Sequence, residues 1–196
     1  MNKIQIIVNN GAGTGSAVAV WKETKEYLQE NGISYNAYLT RYEKHAVKLA
    51  GQICGKIPEG PIYLLVVGGD GTINEVLNGI TDFDRVRLGV IPTGSGNDFA
   101  RNLGILRDTR EDLREITACI DQEQNGEKLQ RIDLGKVSWK GCEKPRIFGI
   151  SAGAGLDAIV CKKALHSKLK KILNRFHLGK LTYLMLTVQT LFSMRT

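Results

Sequence analysis

The sequence predicts an α/β fold, a parallel sheet covered by helices on both faces, followed by a smaller β-rich region. Three observations carry this expectation. Short strand-like runs (Ile4 to Val8, Ser34 to Thr40, Ile62 to Val67, Leu88 to Ile91) alternate with segments of helical period. That alternation is the pattern of strands buried on both faces by crossover helices. Glycine is enriched, 22 of 196 residues, while proline is scarce at 4, so the extra glycine belongs to loops with special backbone needs. Three of the runs end in such loops.

Element by element, Ile4 to Val8 is a buried strand running into Asn9-Asn10-Gly11-Ala12-Gly13-Thr14-Gly15. Ser16 can cap a helix that Gly32 closes, with Val20, Thr24, Tyr27 and Leu28 on one face. After the strand Ser34 to Thr40, the stretch Glu43 to Cys54 places Ala46, Leu49, Ala50 and Ile53 on one side of a second helix. Ile62 to Val67 is fully apolar and meets Gly68-Gly69-Asp70-Gly71-Thr72, from which a helix runs to Gly79. The last strand, Leu88 to Ile91, meets Pro92-Thr93-Gly94-Ser95-Gly96. A short helix over Asn97 to Leu103 and a longer one over Asp108 to Ile120 follow.

Past Ile120 the composition turns polar, and Gln130 to Ser138 and Arg146 to Ser151 read as strands. The domain boundary is therefore set near residue 125, with 1–125 as the first domain and 126–196 as the second. Ile159 to Phe176 and Leu181 to Phe192 return to helical spacing. At 12 residues the latter is a core helix rather than a membrane span.

Composition narrows the function classes. Hydrophobic residues are 42% of the chain, enough for a packed core. Cys54, Cys119, Cys142 and Cys161 form no C-x-x-C pair, which excludes a zinc ribbon or thioredoxin motif and fits reduced, buried thiols. The net charge of +7 is uneven. Residues 1–157 hold 19 basic and 20 acidic side chains, and residues 158–196 hold eight basic and no acidic ones. Such a stretch is either a solvated helix face or a surface for phosphates, nucleic acid or an anionic membrane.

Glycine-rich loops at the carboxyl edge of a parallel sheet are where ligands bind, and a helix N-terminus there holds phosphate. The first loop, Gly11, Gly13 and Gly15, misses the G-x-G-x-x-G dinucleotide fingerprint and has no Walker lysine. The second loop puts three glycines around Asp70, a residue costly to bury unpaired. Thr72 and Glu75 also match a capping box, with Thr72 at N-cap and Glu75 at N3. In the third loop Thr93 or Ser95 can bond a phosphate, and Asn97 or Asp98 can cap the next helix.

Gly68-Gly69-Asp70-Gly71-Thr72-Ile73-Asn74-Glu75-Val76 and Ile91-Pro92-Thr93-Gly94-Ser95-Gly96-Asn97-Asp98-Phe99-Ala100-Arg101 together resemble the diacylglycerol kinase catalytic domain family, its bacterial lipid kinases most closely. Phe148 to Ala158 resembles the segment that opens the family's β-sandwich domain. The resemblance implies a three-layer nucleotide-binding domain and the start of a β-sandwich, ATP and Mg²⁺ as cofactors, and phosphorylation of a lipid hydroxyl at a membrane surface. It puts Asn9, Asn10, Gly11, Ala12, Gly13, Thr40, Gly68, Gly69, Asp70, Gly71, Thr72, Ile73, Asn74 and Ser95 on nucleotide-binding positions. Asp70 falls on the essential aspartate, with Glu75 and Asp98 as its supporting neighbours; no metal-ligand set is assigned.

The chain departs from the family in carrying Asn9-Asn10 where Asn-Pro is usual. The family's proposed general base lies in a stretch beyond position 196, and no acid follows Asp157 here. The expectation is a truncated lipid kinase that binds nucleotide with little turnover, cytoplasmic, touching the inner membrane face, without nucleic acid and with a homodimer left open. An NAD kinase-like enzyme and a non-catalytic nucleotide-binding fragment are the alternatives.

Overall fold

The computed structural model describes residues 3–11, 16–105, 108–126, 129–155, 158–162 and 187. The chain divides into two compact units, residues 1–150 and 151–196. The first unit holds β1 (Ile4–Val8), α1 (Ser16–Glu30), β2 (Tyr35–Leu39), α2 (His45–Lys56), β3 (Ile62–Gly68) and α3 (Asp70–Leu77). It continues with β4 (Val86–Pro92), α4 (Asp98–Asn102), α5 (Thr109–Gln124), β5 (Gly135–Val137) and β6 (Arg146–Phe148). In the second unit residues 158–162 are helical. The rest of the two helices expected after Ile159 lies outside the described residues, apart from Thr187, which is helical.

The expected parallel sheet is present, with strand order β2-β1-β3-β4 and every pairing parallel. Its two central strands, β1 and β3, are buried along their whole length, which is why they read as unbroken apolar runs. Two separate cores sandwich the sheet. On one face Ile7, Leu64, Val66 and Val90 meet Ala46, Leu49, Ala50 and Ile53 of α2 and Ile73, Val76 and Leu77 of α3. On the other, Ile4, Ile6, Leu65 and Ile91 meet Trp21 and Leu28 of α1 and Leu113 and Ile120 of α5. Alternate residues of each strand supply the two faces, giving a helix–sheet–helix sandwich.

β5 and β6 form a separate two-stranded antiparallel sheet, much shorter than the runs the sequence suggested. The cysteines are free, as expected, but Cys54 is the buried one, whereas Cys119 and Cys161 are exposed. α2 starts at His45 instead of Glu43, because Lys44 before it takes a left-handed backbone, φ 66°.

α1 and α5, side by side on one face, are tied at their ends by Arg110. Its guanidinium donates to both carboxylate oxygens of Glu30, at 2.8 and 3.2 Å. These hydrogen bonds hold the Glu30 carboxyl below its ordinary range. A carboxyl lowered on folding adds stability above its unfolded pKa and loses it as pH falls through the folded one. Both groups are exposed, so the contribution is small. In Arg110→Met, Glu30 should return to the ordinary carboxylate range, as read by an NMR titration of its side-chain carboxyl.

The turn that ends α3 packs closely on the main chain of α2. A methyl group built on Gly79 would lie 2.2 Å from the Val47 carbonyl oxygen and 2.8 Å from Ala50 Cβ. Neither is a flexible side chain, so the helices must separate to admit it. Gly79→Ala should therefore cost about 1–3 kcal/mol, the usual range for overpacking. Urea unfolding should show a lower midpoint at unchanged slope.

Candidate nucleotide site

The site is assembled where β1, β3 and β4 end. β1 gives way to Asn9, whose backbone N–H donates to the Val67 carbonyl at 2.9 Å. Asn9 then does two things with its side chain. Its Oδ1 accepts from the Gly11 amide at 3.0 Å, and its Nδ2 donates to Thr72 Oγ1 at 2.8 Å. The first loop is thus anchored to the second. Thr40 joins the same edge, its amide donating to the Val8 carbonyl at 2.8 Å. Ala12 and Gly13 lie outside the described residues.

The second loop is shorter than its sequence suggests. Gly69 is the N-cap and the helix begins at Asp70 itself, so Asp70 to Thr72 form its first turn. The expected capping box does not form. Thr72 is buried and takes the Asn9 bond, and Glu75 turns to another helix. Glu75 Oε1 accepts from the Lys44 amide at 3.0 Å and Oε2 from the Ala46 amide at 3.2 Å. The box pattern is local, whereas these amides belong to the N-terminus of α2, which has no side-chain cap of its own.

The third loop is closed by Asn97. Its Oδ1 accepts from the Gly94 amide and its Nδ2 donates to the Gly94 carbonyl, both at 2.8 Å. Asn97 itself sits in the left-handed region at φ 53°, which asparagine tolerates better than most residues. The second and third loops pack main chain on main chain. A Cβ on Gly69 would lie 3.0 Å from the Gly94 Cα, and one on Gly94 would lie 2.9 Å from the Gly69 Cα. Both positions need glycine for that contact.

Asp70 stands at this junction. Its Oδ2 accepts from the Asp98 amide at 3.1 Å and its Oδ1 from the Phe99 amide at 3.0 Å. The carboxylate thereby caps α4 from a different element. Asp98 in turn pairs with Arg101 at 2.7 Å, and the same guanidinium donates to the Gly96 carbonyl at 2.9 Å. Ser95 is on the exposed stretch of the loop. Asn74 donates weakly to the Ile147 carbonyl at 3.3 Å.

Asn78 escaped the sequence reading. Its amide donates to the Ile147 carbonyl at 2.8 Å and accepts from the Ile147 N–H at 3.0 Å, copying a neighbouring strand. No local pattern in the sequence announces that bond, since its partner is 69 residues away.

Among the described residues, two polar atoms at this edge are buried without a hydrogen-bond partner, Asn10 Oδ1 and Thr93 Oγ1. Such orphans are unusual in a folded protein, and they suit a site that takes a polar ligand. Among the described residues no cluster of three or more His, Cys, Asp or Glu could cage a metal ion. Mg²⁺ characteristically binds through one or two carboxylates together with substrate phosphates, and Asp70 Oδ2 and Asp98 Oδ2 lie 3.1 and 3.7 Å from where a Cβ on Gly96 would stand.

A parallel sheet with glycine-rich segments and an aspartate at its carboxyl edge has the layout in which α/β proteins bind ligands. The chain belongs to the diacylglycerol kinase catalytic domain family, whose family model matches residues 3–137. It is 32% identical over 180 residues to a candidate lipid kinase, YtlR, of Bacillus subtilis, a match covering 90% of this chain and 55% of that protein. It is 35% identical over 156 residues to a diacylglycerol kinase of the same organism, covering 77% of this chain and 45% of the relative. A crystal structure of a diacylglycerol kinase from Bacillus anthracis superposes with a TM-score of 0.50 at 30% identity, covering 59% of this chain and 39% of that one. The chain spans about half the length of the curated relatives it matches.

Asp70 has a structural task beside any chemical one. Asp70→Ala leaves the Asp98 and Phe99 amides without an acceptor and should cost about 1–3 kcal/mol. Asp70→Asn keeps one carbonyl oxygen and should cost less. Urea unfolding of the two variants measures the order.

Proposed function

We propose that the chain is the nucleotide-binding part of a lipid kinase that moves the γ-phosphate of ATP to the hydroxyl of a diacylglycerol-like lipid. The observation that carries this is the junction of glycine loops at Asp70, where the Gly69 and Gly94 backbones touch and Asn9 is bonded to Thr72. Membership of the diacylglycerol kinase family supports the reaction class and the use of ATP.

In this reading residues 1–125 hold the nucleotide and 126–196 begin the lipid-facing domain. Asn9 to Gly13, Thr40, Gly68 to Asn74 and Ser95 surround the nucleotide, with Asp70 and Asp98 beside the metal. Mg²⁺ neutralises phosphate charge when bound, which is most of what phosphoryl transfer requires of its surroundings. This chain contributes positioning. Backbone amides at the start of α3 face the phosphates, the Gly69–Gly94 contact fixes the distance between two loops, and Asp70 keeps α4 in register with α3. The eight basic residues after position 157, with no acid among them, suit peripheral contact with an anionic cytoplasmic membrane face. No described helix is long and apolar enough to cross a membrane.

The test is calorimetric titration of the chain with ATP, with and without Mg²⁺. Binding should require Mg²⁺, and Asp70→Asn should weaken it at least tenfold while the melting temperature falls by only a few degrees. Equal affinity with and without Mg²⁺, or an Asp70→Asn variant of unchanged affinity, rejects the reading.

A further inference from the structure

We propose that Glu75 is a positioning residue for the nucleotide, fixing the Thr40–Lys44 loop, and through it Thr40, against the glycine loop that opens α3. The inference rests on the nucleotide reading above and assigns that site a residue it does not contain.

The Thr40–Lys44 loop is cross-linked within itself. The Arg41 amide donates to His45 Nδ1 at 3.1 Å, and the His45 amide donates to the Tyr42 carbonyl at 3.2 Å. The Tyr42 and His45 rings stack at 4.3 Å between centroids, 21° apart. At one end the loop is pinned to the sheet by the Thr40 amide on the Val8 carbonyl. At the other it passes through Lys44, in a left-handed conformation that lysine adopts reluctantly.

That second end needs an external hold. α2 has no side-chain cap and no acidic residue in its first turn, so apart from the His45 amide on Tyr42 its leading amides look outside their own segment for partners. Glu75 supplies both missing elements, one oxygen for each of two amides and a negative charge at the positive end of the helix dipole. Farther along, the Gly79–Val47 contact holds α2 against the turn just past α3 without Glu75. Loss of the carboxylate therefore frees the loop end while the helices stay packed. Because Arg41 and Tyr42 are hydrogen-bonded to His45, movement at Lys44 is passed along the loop to Arg41, next to Thr40. Thr40 lies beside Val8 at the edge where Asn9 reaches Thr72, and Thr72 is three residues before Glu75 on the same helix.

Glu75→Gln is the sharp variant. It keeps the shape, retains one acceptor, and turns an NH₂ group towards an N–H. Mg-ATP binding is measured by calorimetry for the unsubstituted chain, Thr40→Ala, Glu75→Gln and the double variant. The expected result is about a tenfold loss for Glu75→Gln, a similar loss for Thr40→Ala alone, and less than a further twofold when Thr40→Ala is added to Glu75→Gln. Losses that multiply overturn the proposal, because a carboxylate that merely stabilises the fold is blind to Thr40. Amide hydrogen exchange gives the second readout. Glu75→Gln should speed exchange at residues 41–46 and leave Ile62–Val67 protected; unchanged exchange at 41–46 also overturns the clamp. If Glu75→Gln does not fold, Glu75→Asp, which keeps the charge and shortens the reach, is read in the same way. A chain that binds no Mg-ATP overturns the nucleotide reading itself, whereas Mg-ATP binding with multiplicative losses overturns the positioning role alone.

Discussion

The candidate site depends on one short helix. α3 is eight residues long, yet its side chains hold all the segments around it. Asp70 caps α4, Thr72 receives Asn9 from the first loop, Glu75 caps α2, and Asn74, with Asn78 just past its end, binds β6. Most of these bonds run from a side chain to a main-chain group, so they fix backbone position. The four accepted by the Asp70 and Glu75 carboxylates are charge-assisted, a class worth roughly 1.5–3 kcal/mol each. The loops are consequently set relative to α3, and changes at its polar positions should couple instead of adding.

This arrangement changes the meaning of the glycines. A glycine-rich loop suggests a backbone cleared for a phosphate. Here Gly69 and Gly94 are cleared for each other, and Gly79 for Val47. The motif's composition is therefore partly a packing requirement between loops and helices. The carboxylates are explained in the same way. Asp70 and Glu75 each face a helix N-terminus other than their own, where amides lacking intrahelical partners and a partial positive charge offset the cost of partial burial. Among the described residues of this edge, two buried atoms escape this internal pairing, Asn10 Oδ1 and Thr93 Oγ1, and they belong to the first and third loops.

How much of this was legible in the sequence follows from the range of each interaction. Ile4 to Val8 and Ile62 to Val67 identified themselves because a strand buried on both faces must be apolar throughout. Ala46, Leu49, Ala50 and Ile53 marked α2 because a helix against a sheet buries one stripe. The loops were legible as loops, since glycine-rich runs followed those strands. What each polar residue does there was not. Thr72 and Glu75 match a capping box over four residues, but the bonds they make reach 63 positions back to Asn9 and 31 back to Lys44. A local pattern cannot see a cap supplied from another element. The start of α2 was misplaced for the same reason, because a left-handed Lys44 held by a distant carboxylate leaves no mark in its own segment.

The phase of α3 explains why one helix can do this. At roughly 100° per residue, Thr72, Ile73, Val76 and Leu77 fall on one arc, and these are its buried residues. Asp70, Asn74, Asn78 and Glu75 fall on the opposite arc. Asp70, Asn74 and Asn78 are spaced four apart, so they form a stripe, and their partners, α4 and β6, lie along it. Glu75 is turned farther round, towards α2. The core therefore fixes the polar side as well. A slip of one residue at the Gly69 cap would rotate the apolar arc off the sheet and, at once, carry Asp70 from α4 and Glu75 from α2. Burial of Ile73 and Val76 in the sheet-facing core thus determines the direction in which the Asp70 carboxylate points, linking the packing energy of the domain to the geometry of its site.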